Sequence, residues 1–204
     1  MSIYTRTGDT GSTSLFGGKR VLKCEELVEV YGSLDELNSW IGLIAAEFSV
    51  PDVSQFLQLI QSDVFTIGST LAGWPARNAL PEAAASLQAG THSVAGGKGH
   101  LADLEPRTKE METRIDMMEK DLMPIRNFIL PGGAAIGART HIARAICRRV
   151  ERQTVALSQK QSIDPVIIKY LNRLSDLFFV LARFINKQEN VEEVVWRGTK
   201  KSDQ

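Results

Sequence analysis

The sequence predicts an all-α bundle of five long helices in a single domain. Three observations lead there. Apolar residues recur at three- and four-residue spacing in five segments. Proline, glycine and capping residues fall between those segments. No segment alternates apolar and polar residues over a strand's length, so none reads as a strand. At 204 residues the chain suits one domain with a substantial buried core.

Before the first helix, Thr5 to Arg20 packs glycines, hydroxyls and cations into one run. Glycines let backbone N–H groups turn toward an anion. Thr and Ser hydroxyls add donors, and Arg6, Lys19, Arg20 and Lys23 add charge. The composition is that of a polyphosphate cradle, with a mobile Gly/Ser-rich arm as the alternative. It is not a Walker A loop: Gly18-Lys19 is followed by Arg20, and Thr13 stands where the upstream glycine belongs.

The first helix is expected from about Glu25 to Phe48, with Leu27, Val30, Tyr31, Leu34, Leu37, Ile41 and Ile44 inward. Gly32 in its interior costs about 1 kcal/mol relative to alanine, which suggests close approach of a backbone or ligand, or plain tolerance. Pro51-Asp52 breaks the chain, and a second helix is expected from Val53 to about Leu71. Ala72 to Glu105 is rich in glycine, proline and alanine and reads as a long mobile excursion, with one helical turn near Glu82 to Leu87. A third helix is expected from about Arg107 to Leu122, ended by Pro124. A fourth follows the Pro131-Gly132-Gly133 turn, from Gly133 to about Ser158. A fifth starts at the capping pair Asp164-Pro165 and runs to about Lys187. Val191 to Gln204 is a polar tail with one anchor candidate, Trp196.

The fourth helix places Arg144, Arg148, Glu151 and Arg152 at i, i+4, i+7 and i+8, on one face beside an apolar stripe of Ala143, Cys147, Val150, Thr154 and Leu157. Such arginines either pair with carboxylates or meet an anionic ligand. On the fifth helix Asn172, Asp176, Phe179 and Arg183 share a face, and a mid-helix asparagine is better tolerated when its amide binds something.

Exclusions narrow the chemistry. Acidic and basic side chains balance, 24 against 24, so no global field favours nucleic acid or an anionic membrane. Cys24 and Cys147 have no near partners, so neither a disulfide framework nor a zinc site is expected. No signal peptide or membrane-spanning run is visible, which makes the cytoplasm the expected compartment. No Glu-x-x-His pair exists, which disfavours di-iron chemistry. The three histidines (His92, His100, His141) form no motif. Binding, positioning and charge neutralisation remain.

Five blocks, in order, resemble the PduO-type ATP:cob(I)alamin adenosyltransferases. They are Thr5-Arg6-Thr7-Gly8-Asp9 through Gly17-Gly18-Lys19-Arg20; Tyr31-Gly32-Ser33-Leu34-Asp35-Glu36-Leu37-Asn38; Asn127 to Gly133; Arg144 to Arg152; and Tyr170 to Asp176. The resemblance implies a five-helix ferritin-like bundle, a homotrimer with active sites between subunits, and residues 1–24 as an ATP-binding loop. It implies ATP contacts from Thr5, Arg6, Thr7, Gly8, Thr13, Ser14, Lys23, Arg148, Arg149, Glu151, Arg152 and Asn172. It implies an inter-subunit pair of Asp35 with Arg144, and Phe128 and Phe179 against the corrinoid, Phe128 crowding its lower face. Arg144, Arg148, Asn172, Asp35 and Phe128 would carry the catalysis. The substrates would be ATP with Mg²⁺ and cob(I)alamin, made from cob(II)alamin by a reductase, and the product would pass to an adenosylcobalamin-dependent enzyme. The excursion at residues 72–105 is longer than the family pattern leads one to expect. A non-catalytic nucleotide or corrinoid sensor, a cofactor-delivery protein, or a purely structural bundle are the rival readings.

Overall fold

The computed structural model describes residues 4–15, 18–48, 50–73 and 101–197. Five helices form the body: α1 (Glu26–Glu47), α2 (Pro51–Leu71), α3 (Leu104–Glu119), α4 (Ala135–Ser158) and α5 (Pro165–Gln188). Most of the expected apolar positions are buried, while Leu27 and Tyr31 of α1 are only half-buried. On α1 the buried ones include Val30, Leu34, Leu37, Ile41 and Ile44; on α5, Ile167, Tyr170, Leu171, Leu174, Phe178, Leu181 and Ile185. Each such side chain contributes about 1.5–3 kcal/mol by leaving water. The principal packing pairs are α1–α2, α1–α4, α4–α5 and α3–α5. A buried polar knot joins α2, α3 and α5: Asp63 accepts from Arg107 Nε at 3.0 Å and from the Tyr170 hydroxyl at 3.1 Å. Burial pushes the Asp63 carboxyl upward, and Arg107 and Tyr170 oppose it.

Four boundaries differ from expectation for local reasons. α4 begins at Ala135, two residues late, because Gly133 at φ 105 is not helical. α2 begins at Pro51 itself, because proline at the first helical position loses only an N–H that had no helical partner. α3 begins three residues early: Pro106 fits within its first turn, and fully buried Leu104 anchors the start. It also stops early, and Asp121 and Leu122 continue only as tight turns onto Met118 and Glu119. Asp164 caps α5 as expected, its side chain accepting from the Val166 N–H at 3.0 Å. The excursion falls mainly outside the described residues, as do the helical turn near Glu82, His92 and His100. Its last part is regular: a 3₁₀ turn at Leu101–Asp103 leads into α3.

The expectation of no strand fails at the amino terminus. β1 (Ser12–Ser14) and β2 (Arg20–Leu22) pair antiparallel, with Thr13 opposite Val21. Three-residue strands of mainly polar residues are too short to show a period of two. Arg20 holds the hairpin together, donating to the Thr7 carbonyl at 2.7 Å, to Ser14 Oγ at 3.4 Å and to Ser12 Oγ.

Among the described residues no helix is long and apolar enough to cross a membrane.

Candidate active site

The turn before α4 is fixed by a buried amide. Asn186 on α5 accepts from the Ala134 N–H at 3.0 Å and donates to the Gly132 carbonyl at 3.0 Å. Gly133 sits at φ 105, and a Cβ there or at Gly137 would overlap the Asn186 side chain. The two glycines therefore let α5 press against the start of α4.

That packing shapes a hollow of ≈ 1230 Å³, lined by the strip Ile125–Ile129, by His141 and Arg144 of α4, by Phe179 of α5 and by Trp196 of the tail. Phe128 stands 79% exposed at its edge. The Arg144 guanidinium lies 5.9 Å from the centre of the Phe179 ring. Its Nε is buried and has no hydrogen-bond partner among the described residues. Burial, then the charge of Arg148, lowers its pKa. Phe128, Phe179 and Arg144, distant in sequence, are thus brought to one cavity.

Farther along α4 the arginine row continues, spanning about 12 Å from Arg144 to Arg152. Arg149 pairs with Glu36 of α1. Among the described residues Arg144, Arg148 and Arg152 form no ion pair. The row is therefore not a salt-bridged surface. Asn172 of α5 reaches the same end of α4, its amide donating to Glu151 Oε1 at 3.0 Å.

The loop at residues 4–24 is organised separately. Thr5 and Thr7 hydroxyls lie 2.9 Å apart. Arg6 has φ 59, an uncommon left-handed conformation that marks local strain. Lys23 crosses close to Gly8, where a Cβ would stand 3.2 Å from its ammonium nitrogen. Thr13 lies in β1 at mid-ladder, and Ser14 ends it. No hydrogen bond or ion pair among the described residues links this loop to α4 or α5. Phe16 and Gly17 lie outside the described residues. From the sequence Arg20 is one more cation; its three bonds make it the loop's organiser, and only the folded hairpin reveals that.

Asp35 is placed elsewhere. With Tyr31, Gly32, Asn38 and Phe65 it lines a separate hollow of ≈ 340 Å³ between α1 and α2. The close approach expected at Gly32 does not occur within the chain: a Cβ there would meet nothing within 4 Å.

Residues 3–185 match the cobalamin adenosyltransferase family. The chain belongs to that family. It is 38% identical over 198 residues to the corrinoid adenosyltransferase of Bacillus subtilis (strain 168), covering 95% of this chain and 91% of that one. It is 37% identical over 200 residues to corrinoid adenosyltransferase MMAB of Homo sapiens, covering 95% of this chain and 72% of that one. Its fold is similar to that of a Phe-to-Ala variant of a PduO-type ATP:corrinoid adenosyltransferase from Lactobacillus reuteri complexed with cobalamin and ATP. The TM-score is 0.77 at 31% identity, over 97% of this chain and 100% of that one. An Arg-to-Lys variant from the same organism, complexed with ATP, gives a TM-score of 0.75 at 32% identity, over 96% and 100% of the two chains.

One cavity residue of this cobalamin adenosyltransferase escaped the sequence reading. His141 is 3% exposed, and neither ring nitrogen has a partner among the described residues. Its ring lies 6.1 Å from that of Phe179. Burial first, then Arg144, lowers its pKa below the ordinary 6.5, against an opposing effect of Glu193. The unfolded chain therefore binds the proton more tightly, and the stability tied to neutral His141 is lost as pH falls below 6.5. His141→Leu should flatten the fall of melting temperature with acid in that range. At neutral pH it should change stability by less than about 1 kcal/mol, since an apolar group replaces an unpaired buried one. An unaltered acid limb would show that other groups control it.

Proposed function

We propose that the chain transfers the 5′-deoxyadenosyl group of ATP to cob(I)alamin, forming adenosylcobalamin and releasing triphosphate. The observation that carries this reading is the cavity lined by Phe128, Phe179 and Arg144, with Arg148 and Arg152 farther along the same helix and in no ion pair among the described residues. A macrocycle fits the first and a triphosphate the second.

The electron pair on Co(I) attacks the 5′ carbon; the cobalt–carbon bond forms as the carbon–oxygen bond breaks, and that oxygen's electrons leave with the triphosphate. No proton has to move, so no acid–base pair is needed. The protein's tasks are alignment and stabilisation of charge on the leaving group. Arg148 and Arg152, with Asn172 oriented by Glu151, would meet the nucleotide from the helix side. Thr5, Arg6, Thr7, Gly8, Thr13, Ser14 and Lys23 would close over it from the loop of another subunit. Arg149 would act after exchanging Glu36 for ATP, or would fix α4 through that pair. Mg²⁺, held mainly by the ATP phosphates, would supply further neutralisation of the triphosphate. Phe128 would hold the lower face of the corrin free of ligand, which eases reduction of Co(II). A reductase would deliver that electron, an adenosylcobalamin-dependent enzyme would take the product, and the cytoplasm is the expected setting.

A homotrimer would join what one chain keeps apart. Asp35 in one hollow and Arg144 in another carry opposite charges, and neither forms an ion pair among the described residues. Asp35→Arg and Arg144→Asp should each lower turnover by about tenfold or more, and the double swap should restore part of it. Assembly measured by light scattering should follow the same pattern. Wild-type turnover and assembly in both single variants would remove the pair.

The deciding experiment supplies ATP and chemically reduced cobalamin and measures adenosylcobalamin directly. Binding of both, with a raised melting temperature but no product, would favour the sensor or delivery reading.

A further inference from the structure

The cavity wall that bears Phe128 is a two-stranded strip of non-helical chain. Leu130 N–H donates to the Val194 carbonyl at 2.8 Å, and Trp196 N–H donates to the Phe128 carbonyl at 2.8 Å. Ile129 and Val195 bridge antiparallel between them. Trp196 stands edge-on to Phe128, with ring centres 6.4 Å apart at 71°. Both rings are exposed at the cavity, Trp196 by 55%.

The strip is pinned to α5 by one buried cation. Arg183 is 5% exposed, and its Nε donates to both carboxylate oxygens of Glu193, at 2.9 and 3.2 Å. Its Nη2 donates to the Met123 carbonyl at 2.8 Å. One guanidinium thus holds the starts of both halves, and Asn186 holds the far end of the first through Gly132. Breaking a buried pair by removing one partner is strongly disruptive, so the latch fixes the strip's place. The family match stops at residue 185, so Glu193 and Trp196 lie beyond it.

We propose that Trp196 is a positioning residue for adenosyl transfer: latched through Glu193 to Arg183, it holds the Phe128 ring against the lower face of the bound corrinoid. The proposal rests on the reading of Phe128 above. An exposed ring on irregular chain samples several rotamers. An edge-on aromatic neighbour, fixed by two backbone bonds, narrows that choice. Trp196 thereby controls how often cobalt's lower side is open to water.

The test uses the full chain with ATP and cob(II)alamin, read by electron paramagnetic resonance for four- against five-coordinate cobalt, alongside kcat and KM for ATP measured with a chemical reductant added. Trp196→Ala should shift bound cob(II)alamin toward the five-coordinate form and lower kcat by roughly three- to tenfold, with KM for ATP unchanged. Trp196→Phe should restore both. Phe128→Ala/Trp196→Ala should be no worse than Phe128→Ala alone. Glu193→Gln keeps both rings and leaves Arg183 a neutral carbonyl acceptor, and should move the spectrum the same way by less, which keeps the test decisive should Trp196→Ala fold poorly. A wild-type spectrum in Trp196→Ala and in Glu193→Gln, with an altered one in Phe128→Ala, overturns the proposal and leaves the Phe128 reading standing. No change in Phe128→Ala would overturn both.

Discussion

Arg148→Ala lowers kcat/KM for adenosyl transfer by about 10²–10³-fold, the usual cost of removing one group that meets charge developing in a transition state. The expectation comes from what Arg148 lacks. It is exposed on α4 and has no carboxylate partner among the described residues; nor has half-buried Arg144 before it or exposed Arg152 after it. Stacked like charges on one helix face destabilise each other by a few tenths of a kcal/mol per pair. A ligand carrying several negative charges reverses that sign. Arg149 is the internal control: Glu36 already neutralises it, so Arg149→Ala should cost less turnover than Arg148→Ala. Arg148→Lys keeps the charge but loses the planar fork, and should fall between the two. Melting temperatures should hold, since an exposed, unpaired arginine contributes little to the fold. Steady-state kinetics over ATP concentration decide the matter; an Arg148→Ala enzyme with wild-type constants places the triphosphate elsewhere.

The helices were legible because their apolar spacing is long and regular. Leu34, Leu37, Ile41 and Ile44 signal α1 without outside help, and Asp164-Pro165 marks the start of α5 by local chemistry. The hairpin at Ser12–Ser14 and Arg20–Leu22 was not legible, because its specification lies in the bonds of one arginine to groups six to thirteen residues away. The site was legible in part. Arg144, Phe128 and Phe179 could be named from the sequence, but their shared cavity depends on Asn186 reaching two glycines, a contact with no periodic trace. His141 looked like an isolated histidine, and only its two orphaned nitrogens set it apart. Trp196 reads as an anchor, yet its partner segment has no sequence signature, since the two are joined by a single bridged pair flanked by two backbone bonds. Helix propensity records the cost of Gly32 without naming what benefits: no group of the chain approaches it, and it lines the open hollow beside Asp35.

Phe128→Ala should lower kcat by about tenfold or more while leaving KM for ATP nearly unchanged. Phe128 is 79% exposed in the chain, so its removal opens no core cavity and the fold should survive. The side chain is large, apolar and exposed at a hollow that Phe179 also lines. Against a corrin ring it can do one thing well, which is to exclude water and other donors from the face it covers. Alanine leaves room for a lower ligand, and a ligated Co(II) is harder to reduce to the nucleophilic Co(I). Two measurements separate this from a binding defect: the coordination number of cob(II)alamin bound with ATP, and turnover with pre-reduced cob(I)alamin. The spectrum should move toward the five-coordinate form, and the rate deficit should shrink when reduction is no longer required. Phe128→Leu, which restores bulk without the ring, should recover part of both effects. An alanine variant that keeps four-coordinate cobalt, or one equally slow with pre-reduced substrate, would mean that Phe128 acts on orientation of the macrocycle and not on access to its lower face.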